Sequence, residues 1–103
     1  MALKYFAYIY LSSGFSPEKN TITTESEHGK FKAVGIDFSQ KEKIIEVAKS
    51  LVAEGVQMIE ICGGFGPTWI SKISEAINNV IPIGGVYYGP EWRQPLLDIV
   101  RGK

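Results

Sequence analysis

The sequence predicts an α/β domain with a mainly parallel sheet of four to five strands and flanking helices, in a flavodoxin-like or Rossmann-like arrangement. Three observations predict it. After residue 30 the chain alternates strand and helix patterns three times, which right-handed crossovers assemble into a parallel sheet. The segment "KYFAYIYL", residues 4 to 11, is aromatic and β-branched with almost no polar alternation, as in a strand covered on both faces. Two junctions, Gly66-Pro67-Thr68-Trp69 and Gly89-Pro90-Glu91-Trp92, repeat Gly-Pro-x-Trp about one strand-plus-helix unit apart. A ferredoxin-like α+β sheet, or a partial barrel completed by oligomerisation, is the alternative.

Residues 4 to 11 supply the first strand, near the middle of the sheet, and the "SSGFSPEKN" that follows is a loop. "TITTE" at 21 to 25 and "KFKAVGID" at 30 to 37 flank a turn-like "SEHG", either as a hairpin or as a short edge strand beside an inner one. Ser39 and Glu42 form a capping box, so a helix is expected to start there. Its stripe is Ile44, Val47, Ala48, Leu51 and Val52, and Gly55 ends it.

"VQMIEIC" at 56 to 62 reads as the next strand. Pro67 opens a second helix with Trp69, Ile70, Ile73, Ala76 and Ile77 on one face, and Asn78 and Asn79 close it. "VIPIGGVYY" at 80 to 88 reads as a strand, and Pro90 begins a last helical stretch that Pro95 interrupts or restarts. No linker or low-complexity segment divides residues 1 to 103, so a single domain is expected, burying roughly two thirds of its unfolded surface.

Lys and Arg together number 11, as do Asp and Glu, and no basic run exceeds Lys30-x-Lys32, so nucleic acid is excluded as an expected partner. No apolar run approaches the roughly 18 residues of a membrane span, and the apolar start has no cleavage site, so no membrane partner is expected. The single cysteine, Cys62, excludes an intrachain disulfide and a two-cysteine metal site, and fits a reduced cytoplasmic setting. No metal is expected, and no motif identifies a cofactor.

The chemistry points to the first junction. A helix start at the carboxyl end of a parallel strand is where open α/β sheets bind ligands, and free amides with the positive helix dipole favour a phosphate or carboxylate. Gly63, Gly64, Phe65 and Gly66 form the expected loop, with Thr68 at the helix start and Gly85 and Tyr87 from the second junction. It is no dinucleotide fingerprint, because Trp69 stands where a third glycine belongs. The competing reading is turn chemistry alone, with Trp69 and Trp92 as core or interface packing.

Glu60, inside "MIEIC", reads as a buried carboxylate that needs a partner or a raised pKa, which makes it a general acid or base, or a structural group. Period-two alternation places Cys62 on the same side, as a nucleophile or a small buried hydrophobe. Cys62 as a nucleophile needs a base, and His28, the one histidine, lies in a turn and is expected in solvent. Asp37 is expected to form a turn or complement a helix dipole. Tyr87 and Tyr88 line a pocket or a subunit interface.

"EGVQMIEICGGFGPTW" at 54 to 69, the capped helix before it, "ALKYFAYIY" with its "PEK" loop, and "IPIGGVYYG" together resemble a family of small uncharacterised bacterial proteins. The specific part is Glu-x-Cys-Gly-Gly-Phe-Gly-Pro, Glu60 to Pro67. The resemblance implies a bacterial or archaeal cytoplasmic domain spanning the chain, and it transfers no catalytic role. Three functions remain: binding of a small anionic metabolite at loop 63–66, an enzyme using Glu60 with or without Cys62, or a homo-oligomeric scaffold without a ligand.

Overall fold

The computed structural model describes residues 2–102. Five strands form one sheet: β1 (Tyr5–Leu11), β2 (Thr21–Glu25), β3 (Lys30–Ile36), β4 (Ile59–Ile61) and β5 (Ile83–Gly85), in the order β2-β3-β1-β4-β5. β1 is central, β2 is an antiparallel edge paired with β3 as a hairpin, and the other pairings are parallel. Counted among the parallel strands alone, the order is 2-1-3-4, as at the start of a flavodoxin-like sheet. The ferredoxin-like alternative does not hold.

Two helices cross back over the sheet: α1 (Ile44–Ala53) between β3 and β4, and α2 (Pro67–Ala76) between β4 and β5. Both lie on one face. Ala7, Ile9, Leu11, Val34, Ile36, Ile59 and Ile61 from the strands meet Ile44, Ala48 and Leu51 of α1 and Ile73 of α2 in one core. Burying each large aliphatic side chain there contributes roughly 1.5–3 kcal/mol. At the sheet margin Glu54 accepts from the Lys32 ammonium at 2.6 Å and from the Tyr5 hydroxyl at 2.9 Å, which ties the end of α1 to β3 and β1.

Among the described residues no helix covers the other face, a departure from the expectation that β1 is covered on both sides. In a flavodoxin-like sheet a helix joins the first two parallel strands, whereas here the β2–β3 hairpin makes that connection. Register puts Phe6, Tyr8 and Tyr10 beside Phe31, Ala33 and Gly35 on this bare face. The rings shelter one another: Phe6 and Phe31 lie 4.8 Å apart, Tyr8 and Tyr10 6.1 Å, and Tyr10 and Phe15 5.8 Å. Aromatic residues thus abolish the polar alternation that normally marks a one-sided strand.

The first helix also starts differently. Residues Phe38–Lys43 form a 3-10 turn capped by Asp37, which accepts from the Ser39 amide and hydroxyl and from the Gly14 amide. The Ser39–Glu42 capping box does not form, because Asp37, two residues upstream, has already taken the Ser39 groups. Gly55, at φ 97°, ends α1, and Asn78 and Asn79, at φ 57° and 55°, follow α2. β4 and β5 are shorter than their apolar runs. The Val56 amide closes α1 on the Leu51 carbonyl, and Pro82 has no amide for a ladder. A 3-10 turn, Pro90–Trp92, leads into α3 (Arg93–Val100), whose first turn accommodates Pro95.

Candidate functional site

The two glycine-proline-tryptophan junctions follow adjacent parallel strands, so they sit side by side at the carboxyl end of the sheet. Between them opens a cleft of about 540 Å³, lined among others by Gly63, Gly66, Tyr87, Tyr88, Arg93 and Leu96. Gly63 makes a close approach: a Cβ there would stand 3.1 Å from the Val86 carbonyl oxygen and 3.4 Å from the Tyr88 ring, so either neighbour would have to give by a few tenths of an ångström. Gly66 is required by conformation, with φ at 80° as the N-cap of α2. The likeness of the junctions is sequence-deep, because Gly89 is extended at φ −64° and leads into a 3-10 turn.

The amides of Gly63, Gly64 and Gly66 find no acceptor among the described residues, while the Phe65 and Trp69 amides bond back to the Cys62 and Gly66 carbonyls. Pro67 has no amide. The loop rather than the helical turn therefore holds most of the free donors. Arg93, the first residue of α3, was not singled out from sequence, and it forms no ion pair among the described residues. A cation at a helix start opposes the dipole by about 0.3–1 kcal/mol, and an anion in the cleft would relieve it. That unusual placement, one turn after Gly89-Pro90, is the signal the sequence contained.

Gly63, Gly66 and Tyr87 come together in the cleft, but the other expected ligand residues do not line it. Phe65 is buried in the core and meets Trp69 edge-on at 6.3 Å. Its ring anchors the loop rather than facing a guest. Gly64 lies exposed against Leu11, Thr68 is exposed on α2, and Gly85 ends β5 beside Ile61. Trp69 packs half-buried on the core with the Lys72 ammonium 4.4 Å above its ring, while Trp92 is exposed.

Glu60 is exposed rather than buried. It stands on the bare face between Tyr8 and Gly84, so its flanking isoleucines mark only the opposite, helix-covered side. Its carboxylate has no ion-pair partner among the described residues. Cys62 is half-buried against the core, and its Sγ accepts the Leu11 amide at 3.4 Å, taking over where the β4 ladder ends. Burial, then the nearby Cys62, Tyr88 and Glu60, push the Tyr8 hydroxyl above its ordinary pKa. His28 is exposed beyond the amino end of β3, at the opposite end of the sheet from Cys62, and the two form no pair.

Among the described residues, no helix is long and apolar enough to cross a membrane. Comparison with curated proteins and with solved structures gives no match. A family described as a family of unknown function, DUF6506, matches residues 4–101, and the chain belongs to that family.

Proposed function

We propose that this chain is a binding domain for a small anionic metabolite, held in the cleft between the 63–66 loop and the start of α3. The carrying observation is that Gly63 and Gly66, whose amides have no acceptor among the described residues, and Arg93 line one cleft at the carboxyl end of a parallel sheet. Tyr87 and Tyr88 give it an aromatic wall, and Leu96 an apolar floor for the carbon skeleton. A guanidinium paired with backbone amides suits a phosphate or carboxylate. Exposed and unpaired, Glu60 lacks the surroundings that make a carboxylate a general acid or base, so binding is favoured over catalysis. A cytoplasmic setting in a bacterial cell accords with the lone, unpaired cysteine and the family resemblance.

The test is native mass spectrometry of freshly purified protein, followed by thermal shift with a panel of phosphorylated and carboxylated metabolites. A co-purifying anion, or a midpoint raised by some panel members and not by their neutral analogues, is expected. No retained mass and no shift across the panel would count against the reading.

A further inference from the structure

We infer that the anion held in the cleft belongs to a small aromatic acid, a planar ring joined directly or through one or two bonds to a phosphate or carboxylate. This rests on the binding reading above and extends it to the rest of the guest. The cleft, at about 540 Å³, falls within the roughly 300–1,000 Å³ of sites that enclose most of an organic ligand. An inorganic anion would leave most of that space unfilled, so the guest carries a carbon skeleton.

The lining says what kind of skeleton. β5 ends at Gly85, so Tyr87 and Tyr88 escape the alternation of a strand and both line the cleft. Tyr87 is 61% exposed and Tyr88 56%. Each therefore offers a flat ring on which another ring can stack or stand edge-on.

Two glycines bear on where those rings lie. Gly66 has the left-handed φ of a turn, but Gly63 and Gly85 do not, so backbone conformation alone does not call for glycine at either position. A Cβ at Gly63 would stand 3.4 Å from the Tyr88 ring. One at Gly85 would stand 3.1 Å from the Tyr87 hydroxyl oxygen and 2.9 Å from the end of Ile70. Each tyrosine thus packs against bare glycine backbone while over half of it stays open. Gly63 also carries one of the amides without an acceptor among the described residues. A donor for the acid and a ring for the skeleton are therefore neighbours, which sets the short link between the two ends of the guest.

Amide NMR titration of the full chain with phenyl phosphate and benzoate tests the inference, each beside its cyclohexyl counterpart and with inorganic phosphate as the bare anion. At least one aryl acid is expected to bind about threefold to tenfold tighter than its saturated counterpart, the range for an aromatic contact beyond the area it buries, with saturable shifts at Gly63 and Tyr88. Tyr87→Leu and Tyr88→Leu keep an apolar side chain and remove the ring, and both positions are exposed, so both variants should retain the wild-type circular dichroism. In the variant lacking the ring that meets the guest, the aryl preference should fall below about twofold. Equal binding of aryl and cyclohexyl acids by the wild type would overturn the aromatic assignment and leave anion binding in place. An aryl preference that survives in both variants would do the same. If neither inorganic phosphate nor any of these acids shifts the cleft amides, anion binding falls and the aromatic assignment with it.

Discussion

Arg93 and Asp37 separate the proposed site from the scaffold at the scale of single residues. Arg93 is exposed and touches no acid among the described residues, so its replacement should leave the fold intact. Arg93→Gln is expected to weaken anion binding about tenfold to a hundredfold by titration calorimetry, the range for losing one charge-assisted hydrogen bond, with an unchanged melting midpoint. Asp37 is the reverse case. Its bonds from Ser39, then Gly14, hold its carboxyl at about 2, below the ordinary 3.8. A group whose pKa is lowered by folding stabilises the fold above its unfolded value, and that contribution disappears as pH falls from about 4 towards 2. Asp37→Ala should lower the melting midpoint at neutral pH, and the gap to wild type should close across that acid window.

At the scale of elements, the sequence exposed types and order far better than faces. The alternation after residue 30, the glycine after α1 and the proline opening α2 are local signals, and each element they announce exists. Which side of a strand is covered depends on what the chain does elsewhere. Glu60 looked buried because Ile59 and Ile61 flank it, although those side chains point to the helices and Glu60 points away. The 3-10 start of the first helix was hidden for a similar reason: the Ser39–Glu42 spacing is right, but Asp37 competes for the same donors. Lys32 and Glu54, 22 positions apart in sequence, have no local signature.

That Lys32–Glu54 pair carries its own prediction. The Lys32 hydrogen bond, followed by that of Tyr5, lowers the Glu54 pKa from 4.5, and the Glu54 hydrogen bond raises the Lys32 pKa from 10.5. Its stabilisation is therefore complete between those ordinary values. It fades as pH drops below 4.5 through the lowered pKa, or climbs above 10.5 through the raised one. Because the Glu54 side chain is 42% exposed, solvent screening limits the pair to about 0.5 kcal/mol, and urea unfolding of Glu54→Gln should show a loss of under about 1 kcal/mol, smaller still in high salt. By contrast Ile73 is fully buried where α2 meets the core, and Ile73→Ala should cost about 2–5 kcal/mol in the same assay.

The whole molecule is a sheet finished on one side. α1 and α2 enclose one face, the hairpin replaces the helix that would enclose the other, and α3 extends a body measuring 42 × 27 × 25 Å. The glycine loop stood out as a candidate site because its composition departs from what a core or a surface requires. Arg93 carried a fainter local signal, a cation one turn after Gly89-Pro90, and only the fold shows that it lines the same cleft. The most direct measurement of the central claim is an amide NMR titration with inorganic phosphate and a small dicarboxylate, repeated on Arg93→Gln. Saturable shifts clustered at Gly63, Gly66 and Arg93 are expected, much weakened in the variant. Shifts centred elsewhere, such as the Lys32 and Lys43 groove beside α1, or equal shifts in both proteins, would contradict it.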